Sequence, residues 1–191
     1  PESVKLAKTI ADESTVLLKN ENQLLPLDAK SLKSIAIIGP NADQVQFGDY
    51  TWSRNNKDGV TPLQGIKNRV NKNTAIHYAK GCSLTSLDTS GIAEAVEAAR
   101  NSEVAVIFGG SASAALARDY KSSTCGEGFD LNDLNLTGAQ SQLIREVYRT
   151  GTPVILVLVT GKPFVIEWEK NNLPAILVQW LSLIHISEPT R

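Results

Sequence analysis

The sequence predicts an α/β domain in which helices cover both faces of a mostly parallel sheet. Short apolar segments alternate along the chain with amphipathic segments, and such alternation implies crossover connections between parallel strands. The apolar segments lack the polar alternation of a half-exposed strand, as expected for strands covered on both sides. The 191 residues contain no internal linker, so we expect one domain.

Each predicted element has a local signal for its start or end. Turn-forming residues such as Gly39-Pro40, Gly109-Gly110 and Thr160-Gly161 end apolar runs, and Thr61 before Pro62 is a typical helix start. The first helix is predicted from apolar residues spaced along one helical face among charged ones. The predicted strands are 34–38, 74–79, 103–108, 153–159 and 174–179, and the predicted helices are 3–19, 62–70, 90–101, 137–150 and 163–170.

Composition excludes several classes of function. Hydrophobic residues make up 42% and charged residues 20%, with a net charge of -1 and no run of like charges, which disfavours a nucleic-acid or membrane partner. No apolar stretch is long enough to cross a bilayer. The sequence has no dinucleotide-binding or phosphate-binding glycine pattern, and Cys82 and Cys125 lack metal-ligand spacing, so we expect no cofactor and no metal. The two cysteines could be separate thiols or a disulfide pair.

Two segments, 41–60 and 111–136, are too long for plain connectors. Long ordered loops in compact domains are usually functional. Each follows a predicted strand, and parallel strands all end at one edge of the sheet, where α/β proteins bind ligands. We therefore expect the two loops to converge on a site.

The second loop carries Glu127 in the sequence Thr124-Cys125-Gly126-Glu127-Gly128-Phe129-Asp130. Glycines on both sides permit unusual backbone conformations that could hold one carboxyl group at a fixed place. Such a carboxyl group suits a general acid/base. From the residues alone, a solvated loop glutamate is the favoured interpretation.

Other side chains in these loops allow two interpretations. Tyr50 and Trp52 could pack on the apolar faces of sugar rings, or Trp52 could anchor its loop to the core. Arg118 could bind a sugar hydroxyl or form a solvated ion pair. Trp168 and Trp180 lie in or beside regular elements and are predicted to be core residues.

Several motifs, in order and spacing, resemble the second domain of family 3 glycoside hydrolases, the β-glucosidase and β-xylosidase family. The resemblance covers residues 3–180. Its segments are Glu13–Asn20 (ESTVLLKN, a helix in this interpretation), Leu24–Leu27, Ile35–Asn41 (IAIIGPN), Gly48–Trp52, Thr61–Ile66 (TPLQGI), Gly126–Asp130 (GEGFD), Leu136–Gln140 (LTGAQ) and Gly161–Pro163.

The resemblance implies a six-stranded α/β sandwich and makes Glu127 the acid/base, with Tyr50 and Trp52 lining sugar subsites. It also implies a retaining, exo-acting enzyme on β-linked saccharides, whose nucleophilic aspartate lies on a (β/α)8 barrel that precedes this domain. Leu131 stands where many members have arginine, so no role for that arginine is carried over. The alternative is a non-catalytic carbohydrate-binding or interaction module with the same sheet.

The two ends of the chain suggest a fragment. The sequence has no initiator Met, and residues 181–191 (LSLIHISEPTR) resemble the translation of a transposase adapter used in sequencing libraries. We therefore expect a partial sandwich domain at 1–180 followed by a foreign tail, and a parent protein that is periplasmic or secreted.

Overall fold

A computed structural model describes residues 2–48, 59–113, 124–126 and 132–181. These residues contain one six-stranded sheet. The strands are β1 (Val16–Asn20), β2 (Ser34–Ile38), β3 (Ala75–Ala79), β4 (Ala105–Gly110), β5 (Val154–Thr160) and β6 (Ala175–Trp180). Their order in the sheet is β1-β6-β5-β4-β2-β3. Strands β2 to β6 are mutually parallel, whereas β1 pairs antiparallel with β6 at one edge. The predicted mostly parallel α/β sheet is confirmed.

The helices are α1 (Glu2–Ser14), α2 (Pro62–Arg69), α3 (Ile92–Arg100), α4 (Gln140–Tyr148) and α5 (Glu167–Asn172). Helices and a connector bury the two faces of the central strands in separate apolar clusters. One face packs against α3 and α4 through side chains such as Ala95, Leu143 and Val147. The other packs against α2 and the connector that contains Leu25 and Leu27.

The prediction of one long first helix, 3–19, is wrong at its C-terminal end. Helix α1 ends at Ser14, and β1 begins at Val16. The hydroxyl groups of Ser14 and Thr15 both donate to the carbonyl oxygen of Ala11, at 3.1 Å each, which is the local side-chain competition that disfavours helix continuation. The apolar run Val16-Leu17-Leu18 therefore belongs to β1, a strand that was not predicted from the sequence. The segment Glu13–Asn20, treated as a helix in the family resemblance, is helical only at Glu13 and Ser14.

The last predicted helix, 163–170, begins later than predicted. The backbone N–H of Val165 donates to the carbonyl of Leu134 at 2.9 Å, so residues before α5 are held against another segment. Helix α5 starts at Glu167 instead. By contrast, Thr61 caps α2 as predicted, because its hydroxyl oxygen accepts the backbone N–H of Gln64 at 3.1 Å.

Among the described residues, the helices are too short or too polar to span a bilayer.

Leu181, the first residue of the predicted tail, donates its backbone N–H to the carbonyl oxygen of Thr160 at 2.7 Å, and its side chain packs with Cys125 and Val159. The division of the chain at residue 180 stays a prediction.

Candidate active site at the carboxyl edge of the sheet

Three neighbouring parallel strands, β2, β4 and β5, end at the same edge of the sheet. The two long loops leave the sheet from β2 and β4, as predicted, and their first residues are in direct contact. Apart from Thr74 and Glu169, the buried polar residues of the described chain gather here: Asn41, Ser111, Ser113, Thr124, Gln140 and Thr160. This edge is therefore the polar end of an otherwise apolar interior.

Gly39 and Gly110 allow each strand to turn close against its neighbour. Gly39 has a φ of 114°, and an added Cβ would lie 2.3 Å from the carbonyl oxygen of Phe108. Gly110 repeats this arrangement one strand further on, with a φ of 112° and an added Cβ 2.2 Å from the carbonyl oxygen of Val159. No side chain fits at either position, so the paths of both loops at the edge depend on glycine.

The fully buried Asn41 joins the first loop to the second. Its Nδ2 donates to the carbonyl oxygens of Gly109 and Ser111, at 3.3 and 3.1 Å. Its backbone N–H donates to Phe108 at 3.1 Å, and its Oδ1 accepts a hydrogen bond from Gln46 at 2.9 Å. One amide therefore fixes the beginning of both loops relative to each other.

Gln140, at the start of α4, holds the end of β4 from the other side. Its Oε1 accepts the backbone N–H of Gly110 at 2.7 Å, and its Nε2 donates to the carbonyl oxygen of Gly110 at 3.1 Å. Nε2 also lies 3.1 Å from the carbonyl oxygen of Leu84 and 3.3 Å from Oγ1 of Thr137. The hydroxyl of Thr137 itself donates to the carbonyl oxygen of Leu84 at 2.7 Å.

The second loop returns to its own beginning just before Glu127. Ala112 donates its backbone N–H to the hydroxyl of Thr124 at 3.1 Å, and its carbonyl accepts the N–H groups of Thr124 and Cys125 at 3.1 and 3.3 Å. Ser113 and Cys125 form an isolated parallel bridge. The described backbone then turns at Gly126, with a φ of 131°. The two ends of the loop are therefore pinned together at the sheet edge.

A groove of about 710 Å³ opens beside this edge on the α2 face of the sheet. The residues that follow Asn41, from Gln44 to Gly48, form part of its wall and lead into the segment that contains Tyr50 and Trp52. Trp180, predicted as a core residue, is 37% exposed and lines the groove. Trp168 packs against the core as predicted, with Arg145 5.1 Å above its ring.

The cysteines and the remaining polar groups do not form a metal centre in the described part of the chain. Cys82 and Cys125 are both buried thiols rather than a disulfide pair, and burial raises the pKa of Cys82 to about 11. No cluster of three or more His, Cys, Asp or Glu residues that could hold a metal occurs among residues 2–48, 59–113, 124–126 and 132–181. Among the same residues, the buried hydroxyl of Ser111 has no hydrogen-bond partner.

The four site residues predicted from the sequence, Glu127, Tyr50, Trp52 and Arg118, lie outside the described residues. The structure describes the first loop up to Gly48, two residues before Tyr50, and the second loop at Gly126, the residue before Glu127. Sequence reasoning missed Asn41 and Gln140 as site residues. Both residues lie inside motifs that carry the family resemblance, and this membership was the signal that could have indicated them. The sequence does not show that their side-chain amides are buried.

Comparison with known proteins identifies the family. The family model described as "Glycosyl hydrolase family 3 C-terminal domain" matches residues 15–183. The chain is 39% identical over 182 residues to a beta-xylosidase of Formosa agariphila, covering 92% of this chain and 24% of the xylosidase. It is 34% identical over 202 residues to the periplasmic beta-glucosidase of Salmonella typhimurium, covering 93% of this chain and 25% of that protein.

A solved structure agrees with these sequence relatives. A β-glucosidase from Erythrobacter marinus superposes with a TM-score of 0.77 at 30% identity, over 93% of this chain and 26% of that one. The chain thus spans about a quarter of the length of the relatives it matches. The family resemblance predicted from the motifs is confirmed: the chain belongs to glycosyl hydrolase family 3, where it matches the C-terminal domain.

Proposed function

We propose that this chain supplies the catalytic acid/base, Glu127, of a retaining, exo-acting β-glycosidase. The observation that carries the proposal is the pinning of Thr124 and Cys125 to Ala112 at the carboxyl edge of the sheet. Cys125 lies at the edge where parallel α/β sheets bind ligands, and Glu127 follows it by two residues in sequence, which supports a role for Glu127 there. Family membership supports hydrolysis of a glycosidic bond as the reaction.

The proposed reaction has two displacement steps. First, a carboxylate outside this chain forms a bond to the anomeric carbon while the glycosidic C–O bond breaks, and Glu127 gives its proton to the departing oxygen. Glu127, now ionised, then takes a proton from a water molecule whose oxygen attacks the anomeric carbon. The bond to the first carboxylate breaks, and the sugar leaves with its original configuration.

The nucleophile is proposed to lie on a (β/α)8 barrel of the same polypeptide. Retention requires two carboxyl groups about 5–5.5 Å apart, so the barrel and this domain would meet at the active site. The fact that the chain spans about a quarter of its relatives leaves room for such a domain. This chain alone, with one of the two carboxyl groups, is expected not to hydrolyse aryl β-glycosides.

The proposed substrate is a β-linked saccharide or glycoside with xylose or glucose at its non-reducing end. The two relatives above are named beta-xylosidase and beta-glucosidase, which supports these two sugars together. Tyr50 and Trp52 are proposed to pack on the sugar ring, and Arg118 to bind a hydroxyl group. The groove wall includes Gln44 to Gly48, and Tyr50 and Trp52 follow Gly48 by two and four residues in sequence.

The experiment is a leaving-group series measured on the full-length protein with Glu127→Gln. Aryl β-xylosides and β-glucosides with poor leaving groups should lose about 10²–10⁴-fold in rate, which is the usual contribution of a general acid. Substrates with dinitrophenolate leaving groups need no protonation and should be affected far less in the first step. Unchanged kinetics with poor leaving groups would remove Glu127 from the mechanism. Turnover by this chain alone would instead overturn the proposal that the nucleophile lies on another domain.

A further inference from the structure

We propose that Gln140 is a positioning residue for the acid/base: it fixes the backbone from which the Glu127 loop starts. The proposal rests on the function proposed above, in which Glu127 donates the proton. It concerns a residue that touches no substrate and acts through the backbone of β4.

Gln140 takes the place of a neighbouring strand at the end of β4. The ladder between β2 and β4 stops at the pair Ile38–Ile107, and the chain leaves the extended conformation at Gly39, with a φ of 114°. Gly110 lies three residues beyond Ile107, and both its N–H and its C=O are bound by the Gln140 amide, at 2.7 and 3.1 Å. The amide therefore pairs with one residue of the strand through a donor and an acceptor, as a neighbouring backbone would.

The amide can hold only one orientation. Gln140 is 1% exposed, so its polar groups have no access to bulk water. Oε1 must accept from Gly110, while Nε2 donates towards the carbonyl oxygens of Gly110 and Leu84. A buried polar group whose partners are all satisfied specifies a single local geometry, which an apolar side chain in this position would not.

Close packing of the backbone supports the same role. An added Cβ at Gly109 would lie 2.9 Å from Oε1 of Gln140, so the amide lies directly against the strand. Movement of the strand end away from its present position would break bonds on both sides, because Ser111 donates its N–H to Val159 at 2.7 Å.

Hydrogen bonds and two peptide units connect Gln140 to Thr124 and Cys125, which precede Glu127. From Gly110 the chain passes through Ser111 to Ala112, which binds Thr124 and Cys125 by four hydrogen bonds of 3.1–3.5 Å. A shift of Gly110 would therefore move both the start and the returning end of the loop. Misplacement of a catalytic group by about 1 Å can reduce a rate by about 100-fold.

The test compares three variants of the full-length protein on aryl β-glycosides of graded leaving-group ability. Gln140→Met keeps the side-chain volume but removes both hydrogen bonds to Gly110, and Gly109→Ala displaces Oε1 without changing Gln140. Val147→Ala, a buried residue on the same helix, is the control for loss of stability alone. Glu127→Gln is measured in parallel as the reference for loss of the acid.

We expect Gln140→Met to lower kcat/KM on poor leaving groups by about 10- to 100-fold, with little change in kcat/KM on dinitrophenyl substrates, because kcat/KM reports the first step and these substrates need no proton in it. Gly109→Ala should shift the leaving-group dependence in the same direction, and it decides the matter if Gln140→Met does not fold. Val147→Ala should lower the melting temperature and leave the leaving-group dependence as in the wild type.

Two results would overturn the inference, and they differ from each other. If Glu127→Gln shows the leaving-group dependence but Gln140→Met and Gly109→Ala lose activity equally on all substrates, Gln140 is only structural. If Glu127→Gln itself shows no such dependence, the proposed function fails, and the role given to Gln140 fails with it.

Discussion

The Nδ2 atom of Asn41 lies 3.1 Å from the carbonyl oxygen of Ser111, a bond that joins the first residues of two loops 70 positions apart in sequence. Asn41 follows β2 and Ser111 follows β4, so the bond spans two neighbouring parallel strands. Because both residues are fully buried, the bond cannot be replaced by water without rearrangement.

Replacement of Asn41 should destabilise the fold through unsatisfied carbonyl groups. Asn41→Ala leaves the carbonyl oxygens of Gly109 and Ser111 without this donor. The free energy of unfolding, measured with urea, should therefore fall by about 1–3 kcal/mol. Asn41→Asp should cost more at neutral pH, because it buries a charge that faces the same two carbonyls. The exposed Gln64→Ala is the control, and equal effects of all three variants would contradict the role given to Asn41.

Alanine at Gly110 should be far more damaging than alanine at another glycine of positive φ. Gly151 has a φ of 81° and no atom within 4 Å of an added Cβ, so Gly151→Ala should cost about 1–2 kcal/mol from backbone strain alone. Gly110→Ala adds a clash with the carbonyl of Val159 and should cost about 3 kcal/mol or more. Similar melting temperatures for the two variants would show that the strand end relaxes freely.

Asn20 should contribute to stability because it closes β1 onto the connector that follows. Its Nδ2 donates to the carbonyl of Leu25 and its Oδ1 accepts the N–H of Leu25, both at 2.9 Å. Asn20→Ala should lower the free energy of unfolding by about 1–3 kcal/mol, the sum of two such bonds. Asn101→Ala, which removes an exposed bond to Glu97, should change it by less than about 0.5 kcal/mol. An equal loss would refute this role of Asn20.

The Cys82 thiol should make stability depend on pH in the alkaline range. Burial raises its pKa from the ordinary 9.0 to about 11, an effect that the nearby Lys80 charge partly opposes. The folded protein keeps this proton to a higher pH than the unfolded chain does, so stability is unaffected below about pH 9 and falls between about pH 9 and 11. Cys82→Ala should remove this component. The check is the difference in free energy of unfolding between the wild type and Cys82→Ala, measured from about pH 9 to 11. A difference that stays constant over this range would contradict the role given to Cys82.

The order of strands and helices was largely predictable because buried parallel strands leave a strong pattern. The run 153–159 and its turn at Thr160-Gly161 predicted β5 nearly residue for residue. The first strand was missed because Leu17 and Leu18 also continue the helical spacing of α1. What ends the helix is the pair of hydroxyl bonds from Ser14 and Thr15 to Ala11, which the apolar pattern does not reveal.

The candidate site was predictable in its location but not in its internal support. Strand ends and loop lengths predicted that 41–60 and 111–136 begin at one edge, and Asn41 contacts Ser111 there. The burial of Asn41 and Gln140 could not be predicted, because isolated amides are usually exposed and become buried only through tertiary contacts. The exposure of Trp180 was missed for a related reason, since its position at the end of β6 places it beside a groove.

The most direct test of the account is rescue of Glu127→Ala by azide in the full-length protein. With an activated aryl β-glycoside, removal of the base should let the glycosyl-enzyme accumulate, and azide, which needs no base, should attack it. We expect azide to raise the turnover rate and to give a β-glycosyl azide of retained configuration. Wild-type hydrolysis by Glu127→Ala, or an absence of both rate increase and azide product, would contradict the assignment of Glu127 as the acid/base.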